Sequence, residues 1–110
     1  AAGNGHERVV ELLLQRGAEI NKQNSDDRTE LIFAATNGNE QVVDLLLRHG
    51  AEINAQDNDG DTALTNAAFE GHERVVDLLL RGGAEIELQD RKGHTALMLA
   101  AQDGHERVVE

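Results

Sequence analysis

The chain repeats itself every 33 residues, and that period restricts its fold more than any other feature. Gly5-His6-Glu7-Arg8-Val9-Val10-Glu11 returns as Gly38-Asn39-Glu40-Gln41-Val42-Val43-Asp44. It returns again as Gly71-His72-Glu73-Arg74-Val75-Val76-Asp77, and a fourth time from Gly104 to Glu110. Gly17, Gly50 and Gly83 keep the same step, as do Thr29, Thr62 and Thr95. Segments 38–70 and 71–103 agree at 21 of 33 positions. A fixed period of this length marks a stacked repeat architecture. One such unit cannot bury its own aliphatic face, and ordering it costs roughly 1–2 kcal/mol per residue in backbone entropy. Burial against neighbouring units offsets that cost, so the expected fold is quasi-one-dimensional.

Residues 57–89 show what each unit builds. Asp57-Asn58-Asp59-Gly60 reads as a turn, because Asx residues and glycine suit tight backbone. Thr62 is placed to cap a helix whose Leu64, Ala67 and Ala68 fall on one face. The alanines let helices of adjacent units approach closely. Gly71 ends that helix. His72, with Asn39 in the preceding unit, starts a second helix. Val75, Val76, Leu78, Leu79 and Leu80 give it a broad apolar face, and Gly83 ends it. Ile86 is expected to be buried between units. The turns divide a single domain into a partial repeat at 1–23, repeats at 24–56 and 57–89, and a partial repeat at 90–110. The chain opens out of phase and without an initiator Met, and so reads as a piece of a longer array or the ordered part of a larger chain.

Composition narrows the function. There is no Cys, which removes disulfides, thiolate metal sites and cysteine nucleophiles. Twenty-one acidic residues against ten basic ones give a net charge of −11, which argues against nucleic acid and anionic membrane as partners. No apolar run approaches the ~20 residues that span a bilayer.

The residues resemble the ankyrin repeat family. They do so through Gly60-x-Thr62-Ala63-Leu64, then Ala67-Ala68, Gly71-His72, Val75-Val76, Leu78-Leu79 and Gly83-Ala84. The pattern recurs along all 110 residues. The resemblance implies an all-α ankyrin-repeat solenoid, with helix-turn-helix pairs joined by β-turn or hairpin loops. Departures are plain. The family's Thr-Pro-Leu-His turn lacks its proline, with Glu30, Ala63 and Ala96 in its place. Its histidine is replaced by Ile32, Thr65 and Met98. Asp27 stands where Gly60 and Gly93 stand, at a cost of roughly 1–2 kcal/mol if the backbone is left-handed there. Asn66 stands where Phe33 and Leu99 stand. Asn21 and Asn54 match asparagines that protein hydroxylases modify in some family members, and Glu87 breaks that series.

No catalytic residue, cofactor site or metal site is expected. Asp57-Asn58-Asp59-Gly60-Asp61 has the look of a calcium loop. With Gly60 at the loop's sixth position, however, its first and twelfth fall on Ala55 and Asn66, neither a usual ligand. His6, His72 and His105 follow the repeat period, which fits capping or packing. Ser25 is the only serine and has no His and Asp arranged near it.

In the family that this chain resembles, partners lie across the turn tips and the exposed side of the first helices. Mapped by position, the tips are Ser25, Asp26 and Arg28, then Asn58, Asp59 and Asp61, then Arg91, Lys92 and His94. The helix-one ends are Thr36 and Asn37, Phe69 and Glu70, then Gln102 and Asp103. Repeats differ most at these positions, while scaffold positions stay nearly fixed. Asn66 is read two ways: as an amide satisfied by water, or as a polar contact for a partner. The middle tip is an acidic spot flanked by Arg28 on one side and by Arg91 and Lys92 on the other. The partner so implied is a protein or peptide with a basic feature for Asp59 and Asp61 and an apolar group over Phe69.

Val9, Val10, Leu12 and Leu13 at one end, and Val108 and Val109 at the other, lack a complete neighbour. Residues 1–11 and 100–110 match at nine of eleven positions, so end-to-end self-association is a further expectation. Two origins fit the regular framework. One is a recognition module of a cytoplasmic or nuclear protein. The other is an engineered or consensus-derived scaffold without a natural partner, which the absence of Cys and Pro favours. A recruiting segment of a larger enzyme or effector is the more remote alternative.

Overall fold

A computed structural model describes residues 3–102, which form six helices and, among the described residues, no strand. They are α1 (Gly3–Gln15), α2 (Glu30–Thr36), α3 (Glu40–Arg48), α4 (Ala63–Glu70), α5 (Glu73–Arg81) and α6 (Ala96–Gln102). Each threonine at the 33-residue step opens a first helix. The Thr29 and Thr62 hydroxyls accept the N–H groups of Ile32 and Thr65, and Thr95 accepts from Met98 at 3.4 Å. Gly71 closes α4 in the left-handed region, with φ 76°. Asn39 caps α3 by accepting from Val42. His72 holds the same place before α5 without capping it. Instead its Nε2 donates to the Thr36 carbonyl of the preceding repeat at 2.9 Å.

Two rows of helices result. Helix α4 lies between α2 and α6 in one row, and α3 between α1 and α5 in the other, while α2 packs on α3 and α4 on α5. The stack extends 39 Å along its length against 26 and 22 Å across. Its core is aliphatic: Leu31, Ile32, Val43, Leu46, Leu64, Val75 and Leu79 are fully buried. Ala35, Ala67, Ala68 and Ala100 sit at zero exposure, where larger side chains would push the first-row helices apart. Outside the rows, Ile20 and Ile53 pack against this core. The Asn21 side chain accepts Glu52 N–H at 2.6 Å, and Asn54 accepts Glu85 N–H at 2.9 Å, so these asparagines tie each repeat to the next.

Two expectations need correction. Ile86 is not buried: it is 52% exposed. Its counterpart Ile53 reaches the C-terminal end of α5, against Gly82. Leu80, placed on the apolar face of α5, is also exposed, whereas its equivalent Leu47 packs on the core. Asp27 does adopt the left-handed backbone, with φ 59°. Val9, Leu12 and Leu13 are about half exposed, while Val42, Leu45 and Leu46 at the same repeat positions are buried. Val108 and Val109 lie outside the described residues.

The candidate partner-binding groove

The three turn tips share one local device. A side-chain oxygen accepts two backbone N–H groups of its own turn. Asn24 accepts from Asp26 and Arg28, Asp57 from Asp59 and Asp61, and Asp90 from Lys92 and His94, all between 2.8 and 3.0 Å. The tips are then joined to one another. Asn58 N–H donates to the Asp26 carbonyl at 3.0 Å and Arg91 N–H to the Asp59 carbonyl at 2.8 Å. A Cβ on Gly60 would come within 2.9 Å of the Arg91 nitrogen, so glycine eases the approach at this tip, whereas Asp27 holds the same place one repeat earlier. Gln56 Nε2 bridges the Gly60 and Gln89 carbonyls, at 2.9 and 3.2 Å. The row of tips is therefore a continuous rim.

Between this rim and the first-row helices runs a groove of about 570 Å³. Asp59, Asp61, Arg91, Lys92 and His94 line it from the tips. Asn66, Phe69 and Glu70 line it from α4. Phe69 stands 42% exposed at the C-terminal end of that helix. Ser25, Asp26 and Asn58 are exposed on the tips but are not part of the groove wall. Gln102 ends α6, and Asp103 lies outside the described residues.

Arg28 also lines the groove, from the first tip. It turns inward, with its guanidinium 5.0 Å from the Phe33 ring centroid, Nη2 3.4 Å from Thr36 Oγ1 and Nε 3.6 Å from Asp57 Oδ2. The Asn66 Nδ2 donates to the Thr62 carbonyl one turn back, at 3.0 Å.

Asp90 and Leu99 also line the groove, although the repeat comparison did not nominate them. Asp90 shares its repeat position with Asp57, and that equivalence was the available signal. The Asp61 carboxyl is raised above its ordinary value of 3.8. Burial is the largest cause, followed by the charges of Asp57 and Asp90; the Thr65 hydroxyl opposes them. For Asp90, burial pulls upward, but the N–H groups of His94 and Lys92 and the His94 ring outweigh it and hold the carboxyl low.

Carboxylate oxygens of Asp57, Asp59 and Asp61 come within 4.8 Å of one another. Asp57 has little to give a metal ion, because Oδ1 holds two N–H groups and Oδ2 faces Arg28. A second groove, of about 510 Å³, lies beside α1 and is walled by Val9, Val10, Leu13, Leu14, Ile20 and Phe33 among others. No helix among the described residues is long and apolar enough to cross a membrane.

Comparison with known proteins agrees with the repeat architecture. A family model described as ankyrin repeats in three copies matches residues 1–90, and a single ankyrin repeat model matches residues 92–110. No curated protein matches the chain.

Proposed function

Because the chain belongs to the ankyrin repeat family, whose repeats generally serve protein–protein interaction, we propose that it is a non-catalytic module that binds a protein or peptide along its groove. One observation carries this reading. Most of the positions at which the repeats differ in sequence converge on one wall-and-rim groove, while the constant positions lie in the core and the turns. Asp59 and Asp61 offer the partner a place for a basic feature, and Phe69 offers an apolar surface. Aromatic residues in such settings are frequent binding anchors.

The engagement of the groove's hydroxyls supports a non-catalytic role. The groove's two hydroxyls belong to Thr36, which donates to the Ile32 carbonyl at 2.7 Å, and Thr65, which serves the α4 cap. Thr65 has the Asp61 carboxylate 3.4 Å away, but its hydroxyl is buried and already engaged in the helix cap.

A displayed library of random peptides, selected on the immobilised protein, tests the proposal. Peptides so selected should bind wild type and an Asp77→Lys variant on the opposite helix row equally. They should lose most affinity for a Phe69→Ala, Asp61→Lys double variant. A double variant that folds normally and keeps full affinity would remove the groove from consideration.

A further inference from the structure

We propose that this chain associates head to tail with a second copy of itself. The α6 helix of one copy docks against α1 of the next, and the 33-residue stack runs on across the junction. The inference is independent of the groove.

The two outer faces of the described stack carry it. Among the described residues, every exposed large hydrophobic side chain except Phe69 lies on one of these faces. Val9, Leu12 and Leu13 stand about half exposed on α1. On the opposite face, formed by α5, the segment after it and α6, Leu80, Ile86, Leu97 and Met98 are exposed. The interior shows what such positions meet. Val42, Leu45 and Leu46, one period after the first set, are buried, and α2 packs on the helix that bears them. Leu31 and Leu64 at the Leu97 position, and Ile32 and Thr65 at the Met98 position, are at most 2% exposed. Ile53 and Leu47, at the Ile86 and Leu80 positions, approach Gly82 in the following repeat. Each outer face is therefore one half of the junction that the stack already forms between its own repeats. Contiguous exposed apolar surface of this kind marks an association site.

The repeat also fixes the register. Residues 1–11 and 100–110 match at nine of eleven positions, so residue 5 of the second copy takes the place of residue 104 of the first. The polar contacts between repeats then continue in step. Asn21 and Asn54 accept the N–H groups of Glu52 and Glu85, and Glu87 offers its carboxylate to the N–H of the second copy's Glu19. Gln23 and Gln56 donate to the Gln56 and Gln89 carbonyls, and Gln89 donates to the carbonyl of the second copy's Gln23. The Asn58 N–H on the Asp26 carbonyl is repeated by the second copy's Ser25 N–H on the Lys92 carbonyl. Residues 104–110 have the same sequence as 5–11, so α1 of the second copy competes with them for one place and gains as concentration rises. The contact joins two different faces, so it does not close and copies add in line.

Sedimentation equilibrium across a concentration series tests the proposal. The wild-type mass should climb with concentration past that of a dimer. Leu13→Lys blocks one face and Leu97→Lys the other, and each variant alone should stay monomeric. Both side chains are more than half exposed, and circular dichroism checks that the fold is kept. An equal mixture of the two variants should form a dimer and stop there, because one intact pair of faces remains. The chain has no Cys, so introduced cysteines give a second measurement that leaves the apolar faces unchanged. On oxidation, a mixture of Ser25→Cys and Lys92→Cys proteins should give the mixed disulfide well above its random yield. A wild-type mass that stays monomeric, a dimer that persists in either lysine variant alone, a mixture of folded variants that stays monomeric, or a random disulfide yield would overturn the proposal. If a lysine variant fails to fold, the cysteine pair decides.

Discussion

Asp61 and Arg28 occupy one repeat position and have opposite consequences for stability. The ionised Asp61 carboxylate is half buried and faces three other acids, so the folded state holds its proton more tightly than the unfolded chain does. A group of this kind favours the fold most when protonated, and that contribution is lost as pH rises through its folded value. Asp61→Asn should therefore be more stable than wild type at neutral pH. The gap should close as pH falls below the ordinary carboxylate value of 3.8, which paired urea titrations across that range would read. Arg28 acts in the other direction. It faces the Asp57 carboxylate, whose side chain is only 7% exposed, and its own Nε is buried with no hydrogen-bond partner. The pair therefore acts through charge more than through a well-formed hydrogen bond. Arg28→Met keeps the packing over Phe33 but leaves Asp57 uncompensated. It should lower the unfolding free energy by about 1–3 kcal/mol, read by urea titration at neutral pH.

At the scale of the element, three first helices share a threonine start, yet only α4 carries a reciprocal cap. The Thr65 hydroxyl accepts Thr62 N–H at 2.7 Å, while Thr62 Oγ1 accepts Thr65 N–H at 3.1 Å. Ile32 and Met98 hold the same position in α2 and α6 and offer no such acceptor. Thr65→Val should thus cost about 1 kcal/mol in chemical unfolding, and installing threonine at Ile32 should not return it, because Ile32 fills buried core volume. The helices themselves were legible in the sequence. Threonine starts, glycine ends and the apolar faces recur at 33 residues, and each signal depends only on near neighbours in the chain. The tips were legible for the same reason. The contacts of Arg28 with Asp57, Phe33 and Thr36 were not legible, because they are set by how repeats stack, which a residue pattern does not encode. Ile86 was misjudged because its cover would come from a different repeat. Asp90 was passed over because its side chain is half a turn device and half a groove wall, and only the first half has a sequence signature.

Across the whole molecule, burial is shared between repeats, so no repeat has a stability of its own. Leu79 shows this clearly. It belongs to α5, yet it is at zero exposure within one continuous cluster that runs from Leu31 to Ala100. Few aromatic residues contribute, so the stack is held by many small aliphatic contacts and is sensitive to the loss of any central one. Leu79→Ala should cost about 2–5 kcal/mol, because the helices around it are fixed by their neighbours and cannot collapse into the cavity. Leu13→Ala removes the same side chain one end of the stack away, where it is 56% exposed, and should cost far less. The two variants separate coupled from local stability when followed both by far-ultraviolet circular dichroism and by amide hydrogen exchange. In Leu79→Ala, protection should fall together in α2, α4 and α5, since each leans on the same cluster. In Leu13→Ala it should fall in α1 alone. Loss confined to α5 in the first variant would show that the repeats fold as independent units. The groove would then lose its rigid backing, because its rim, Asp61 and Phe69 on one side and Asp90 on the other, spans the junction between two of them.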